Sequence, residues 1–160
     1  MHVTSKKISP CLWFDDRIEE AVNFYIKVFG GRIHDSTPYG EGAPQPKGTV
    51  MSMTFTLIDQ EFIALNGGPH FKFNEAVSFM VKCETQAEVD LYWNVLTAGG
   101  GQESQCGWLK DKYGLSWQIV PTALGKYITD RDGTKAKRAM QAMMKMKKID
   151  IAALQAAHAG

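Results

Sequence analysis

A chain of 160 residues and 17.8 kDa, 44% hydrophobic and 22% charged, has the make-up of one globular domain that buries its core without disulfides or structural metal. No stretch reaches the roughly 18–20 apolar residues of a membrane span, and the opening MHVTSKKISP lacks a secretory apolar run, so a cytosolic protein with no membrane partner is expected. The net charge of +1 is uneven: residues 1–125 carry 10 Lys/Arg against 14 Asp/Glu and residues 126–160 carry 8 against 3, which excludes a nucleic-acid-binding body and leaves only the tail basic.

In chain order, Ile8–Phe14 (ISPCLWF) reads as a short apolar strand and Glu19–Phe29 (EEAVNFYIKVF) as a helix closed by Gly30-Gly31. Strands follow at Arg32–Ser36, Thr49–Ile58 and Glu61–Asn66, with a turn at Asp59-Gln60 and a Gly/Pro-rich loop at Gly40–Gly48. The pattern then restarts. Ala76–Cys83 is strand-like, and Gln86–Leu96 (QAEVDLYWNVL) aligns with the first helix at a displacement of 67 residues, Val22 on Val89 and Tyr25 on Tyr92. Gln102–Trp108 and Leu115–Val120 complete the second set around a turn at Asp111–Gly114. Each set reads as a βαβββ module, the first over about 8–66 and the second over about 76–121. The fold class is therefore α+β, two modules whose bare sheet faces make a cup within a domain of residues 1–125. The tail, 126–160, carries Ala136, Ala139, Met140, Met143 and Met144 on one helical stripe, and Asp150 suits the N-cap of a second helix. It is expected to dock on the body or on a partner copy.

Alternation in the last strand separates Trp117 and Ile119, which pack under the helix, from Ser116, Gln118 and Val120, which face the cup. A buried glutamine needs a partner, either a ligand or a polar neighbour. Ser78 shares that face and offers a hydrogen bond, but no hydrolase nucleophile motif surrounds it. Asn66 adds a third directed polar group, and Trp13 and Trp108 are candidate walls. Cys11, Cys83 and Cys106 cannot all pair and read as reduced thiols. Cys106, between Gln105 and Gly107, is the thiol with catalytic potential, although a structural role fits a cysteine with no histidine close in sequence. His2, His34, His70 and His158 are scattered and show no metal-binding spacing.

The duplicated module resembles the vicinal-oxygen-chelate superfamily of glyoxalases, fosfomycin-resistance proteins and extradiol dioxygenases. Within it, Trp13-Phe14, Phe29-Gly30-Gly31, Asn66–Phe71, Ala76–Phe79, Gln105–Pro121 and Met146–Leu154 resemble the PhnB-like branch. The resemblance implies the cup-shaped fold, modules paired in a homodimer, and a divalent metal on the cup floor. Carried over strand by strand, the metal-ligand places fall near Pro10, Ala64, Ala76 and Gln118, of which only Gln118 has a donor atom. No metal is therefore expected there. The branch often carries a demethylubiquinone methyltransferase label. The Gly99–Gly101 run follows a helix rather than a parallel strand, so no nucleotide-type cofactor is expected either. The expected function is binding of a small molecule without metal. The alternative is a metal- or Cys106-dependent enzyme of the same superfamily.

Overall fold

A computed structural model describes residues 6–160, which fall into two compact units, residues 6–72 and Phe73–Gly160. In the first, β1 (Cys11–Phe14), α1 (Ile18–Phe29), β2 (Gly31–Pro38), β3 (Val50–Leu57) and β4 (Gln60–Asn66) form one module. The sheet order is β1-β4-β3-β2, with β1 parallel to β4 and the other neighbours antiparallel.

Ile18, Ala21, Val22 and Tyr25 recur at helical spacing and form the buried face of α1. They pack on the sheet face made by Leu12, Phe14, Met53, Phe55, Leu57, Phe62 and Ala64, all nearly inaccessible to solvent. Alternation sends Cys11, Trp13, Thr54, Thr56, Glu61, Ile63 and Leu65 to the other, open face. Gly31 sits at φ +147, where any Cβ would collide with the carbonyl oxygen of Thr56, so only glycine lets β2 start directly behind the helix. The β3–β4 turn falls one residue earlier than the sequence suggests, on Ile58-Asp59, with Ile58 at φ 53.

The second unit repeats the plan with β5 (Phe79–Cys83), α2 (Gln86–Thr97), β6 (Gln102–Glu103), β7 (Trp108–Lys110) and β8 (Ser116–Pro121), in the order β5-β8-β7-β6. Thr85 caps α2 by accepting from the Glu88 amide at 3.2 Å. Val89, Trp93 and Leu96 press onto Leu109, Trp117 and Ile119. Asp111 organises the β7–β8 hairpin from the inside. Its carboxylate, 2% exposed, accepts from the amides of Tyr113 and Leu115 and from the Trp117 indole at 2.8, 3.1 and 2.9 Å.

Two expected strands are shortened. The first apolar stretch of the second module begins its strand only at Phe79, because Asn74 accepts from the Ala76 amide and holds a turn there. The 102–108 segment breaks at Cys106 and Gly107, which take φ 58 and φ 84. A helix not read in the sequence, α3 (Ala123–Ile128), leads into α4 (Gly133–Met143) and α5 (Ile151–Ala159). Asp150 caps α5 by accepting from the Ala153 amide at 2.9 Å. These helices lie on the second module: Gln86 of α2 donates to the Ile149 carbonyl and accepts from the Ile151 amide, and Leu124, Ile149 and Leu154 share a small core.

Candidate functional site

The open face of the second sheet holds the polar groups singled out in the last strand. Register places Gln118 between Met80 on β5 and Trp108 on β7, and Ser116 beside Lys110. Gln118 Nε2 donates to Ser78 Oγ at 2.9 Å, so two of the expected residues are brought together. The bond accounts for one end of the amide; Oε1 has no partner among the described residues. A cavity of about 130 Å³ opens on the same face, lined by Glu75, Gln102, Trp108, Lys110 and Ser116 among others. Lys110 Nζ and Glu75 Oε1 meet at 2.5 Å, and this ammonium holds the Glu75 carboxyl below its ordinary range.

The other expected residues are engaged elsewhere. Asn66 is 7% exposed and points away from the open face: its Oδ1 accepts from the Ile18 amide at 3.2 Å and its Nδ2 donates to the Val50 carbonyl at 2.8 Å. That amide satisfies the start of α1, whose own cap residue, Arg17, makes no side-chain bond there. Trp13 donates its indole N–H to the Gly68 carbonyl at 2.9 Å and meets Phe71 edge-on at 4.9 Å, packing against the segment that leaves the module. Cys106 docks the tail. Its amide donates to the Met146 carbonyl at 2.8 Å, and its Sγ lies 3.7 Å from the Met143 carbonyl and 3.8 Å from Met144 Sδ. Of the other thiols, Cys83 is pushed up to about 11, chiefly by burial, and Cys11 is also raised by burial.

Of the four places that the resemblance assigns to metal ligands, only Gln118 lies within a strand on an open sheet face. Pro10 and Ala76 precede their strands, and Ala64 faces α1 with no exposure. The open-face positions that pair across the parallel strands are Cys11 with Ile63 and Trp13 with Leu65 in the first sheet, and Met80 with Gln118 and Lys82 with Val120 in the second. These positions offer one thiol, which burial holds toward its protonated form, one thioether, one amide and one ammonium, with no imidazole or carboxylate among them, too few anionic donors for a dication. Among the described residues, no three His, Cys, Asp or Glu side chains converge on a point.

Sequence reading missed Glu61 and Lys110. Glu61, 7% exposed at the start of β4, accepts from Ser9 Oγ at 2.5 Å on the open face of the first sheet, and the neighbouring Thr56 hydroxyl meets His34 Nε2 at 3.2 Å. With both phases of β4 apolar, alternation alone does not show that Glu61 shares the open face of Ile63 and Leu65.

A family profile described as 3-demethylubiquinone-9 3-methyltransferase matches residues 6–120. Among solved structures, a PhnB protein from Bacillus cereus is 36% identical at a TM-score of 0.66, the match covering 73% of this chain and 100% of that one. Protein PA1353 from Pseudomonas aeruginosa is 22% identical at 0.60, covering 73% and 98%. The fosfomycin resistance protein FosX from Mesorhizobium loti is 12% identical at 0.53, covering 74% and 92%, a likeness of fold alone. Curated proteins give no match. With the profile spanning both modules, the chain belongs to the PhnB-like family described as 3-demethylubiquinone-9 3-methyltransferase.

Proposed function

We propose that this PhnB-like protein binds a small molecule on the open face of its second sheet, through Gln118, Ser78 and Trp108, and works without the superfamily's divalent metal. The observation that carries the reading is the Gln118–Ser78 pair, half-buried beside Trp108, with the glutamine oxygen left for an incoming donor. The donor chemistry at Cys11, Ile63, Met80 and Gln118 supports the metal-free part of it. Methyl transfer, the activity in the family's description, draws no support from the chain, because Gly99–Gly101 follow α2 and lead into the two-residue strand β6 rather than into a phosphate-binding helix. Asn66 and Trp13 play no part in this site, and Cys106 serves the tail. The setting is the cytosol, where free thiols at Cys11, Cys83 and Cys106 persist.

A thermal-shift screen of a small-metabolite library against wild type and Gln118→Leu tests the reading. The variant is expected to melt within a few degrees of wild type while losing the shift given by the strongest hit. A variant that melts lower and still responds fully would move the site off this strand.

A further inference from the structure

The cavity at the β6–β7 end of the second sheet contains a group that the fold leaves unsatisfied. Ser116 is 1% exposed, and its Oγ is, among the described residues, a buried side-chain oxygen with no hydrogen-bond partner. Buried hydroxyls are costly without a partner, and nearly all have one. Ser116 stands opposite Lys110 in the β7–β8 register, on the face shared by Trp108 and Gln118. The Lys110 ammonium is held 2.5 Å from Glu75, a residue of the segment before β5, and both side chains stay accessible at 31% and 62%. At about 130 Å³ the cavity lies well below the roughly 300–1,000 Å³ of sites for drug-sized ligands, so its occupant has few heavy atoms.

Charge narrows the occupant further. A simple anion entering beside Lys110 would displace Glu75 and leave its carboxylate next to another negative charge. A simple cation drawn to Glu75 would leave Lys110 unpaired in the same way. A molecule carrying both charges replaces the internal pair with two equivalent pairs and adds no net charge beside Glu103, the cavity's second carboxylate, which Trp93 and Lys147 already engage. We propose that this cavity binds a small zwitterion of the α-amino-acid class. The ligand carboxylate accepts from Lys110 Nζ and Ser116 Oγ, its ammonium donates to Glu75, and its short apolar side chain lies against the Trp108 ring. The proposal rests on the reading of this sheet face as the working surface and specifies what that surface takes.

The test uses full-length protein and three matched probes: L-alanine, propionate, which lacks the ammonium, and ethylamine, which lacks the carboxylate. Binding is read by NMR chemical-shift titration of the Trp108 indole N–H. L-Alanine is expected to shift this resonance saturably and to bind at least tenfold more tightly than either single-charge probe. Ser116→Ala removes a hydroxyl that has no protein partner, so it should fold as wild type and weaken L-alanine about tenfold. Glu75→Gln and Lys110→Gln should each reduce L-alanine binding to the level of the single-charge probe that keeps the surviving contact. Propionate or ethylamine binding as tightly as L-alanine would overturn the zwitterion while leaving small-molecule binding on this face intact. No response to L-alanine at tens of millimolar, with a metabolite hit still dependent on Gln118, would overturn this proposal alone. Failure of every library compound to respond through Gln118 would remove the functional reading beneath it.

Discussion

Asn66 uses both ends of its amide inside the first unit, tying the start of α1 to the start of β3 through Ile18 and Val50. Asn66→Ala leaves a buried N–H and a part-buried carbonyl without the partners they have now, and is expected to lower the unfolding free energy by about 1–3 kcal/mol in urea titrations. A loss under about 0.5 kcal/mol would be the size of an ordinary surface change and would contradict this role. Ile58 presents the opposite case. It is 65% exposed and holds φ 53 in a two-residue hairpin turn, where a β-branched side chain is strained. Ile58→Asn is expected to stabilise the protein by about 1 kcal/mol, because asparagine tolerates the left-handed region. A lower melting temperature in that variant would show that the isoleucine side chain makes contacts worth more than the strain.

Ion pairs add to the hold of the tail on the second module. Lys148 reaches Asp90 at 2.7 Å, and Lys147 reaches Glu103 at 3.6 Å, while the Trp93 indole donates to Glu103 at 2.8 Å. The bond from Lys148 holds the Asp90 carboxyl below its ordinary range, and the bond from Trp93 does the same, with Lys147, for Glu103. A carboxylate with a lowered folded-state pKa adds stability in full above the ordinary carboxylate range near pH 4 and loses it as pH falls through the folded value. Wild-type melting temperature should therefore fall more steeply between about pH 5 and pH 3 than that of Asp90→Asn/Glu103→Gln. Equal slopes would contradict the linkage. The segments differ in how far the sequence revealed them, and for physical reasons. Both module helices were legible because their apolar spacing and following glycines agree. The faces of β8 were legible because bulky Trp117 and Ile119 alternate with polar Ser116 and Gln118. In β4 both phases are apolar, Phe62 and Ala64 against Ile63 and Leu65, so nothing in the sequence shows that Ala64 belongs under the helix. The break at Cys106 depends on a non-glycine residue entering the left-handed region, and α3 is six residues long with Gly125 inside it, too short for a stripe to show.

Among the described residues, each sheet ends on one side in a short parallel strand, β1 or β5, with no further strand beyond it in its own sheet. Apolar groups stand exposed beside both: Ile8 at 87%, Val77 at 65% and Met80 at 53%. A strand that ends its sheet with exposed apolar residues beside it invites pairing, so a homodimer is the expected assembly. Light scattering at micromolar concentration should give about twice 17.8 kDa, and Val77→Lys/Met80→Lys should move the mass toward one chain. A wild-type mass of 17.8 kDa would overturn the assembly.

The contacts that close the second unit span long stretches of chain. The amides of Cys106 and Gly107 donate to the carbonyls of Met146 and Lys147, and Gln86 brackets Ile149 and Ile151. During translation the four strands and the helix of the first unit are all present once Lys72 has emerged, and units made first fold first. The second unit emerges with its sheet complete and those two amides still bare, and remains open until residues 146–151 follow. Pulse proteolysis of ribosome-stalled chains should accordingly find the first unit protected at a stall site where the Ser104–Gly107 turn is still cut.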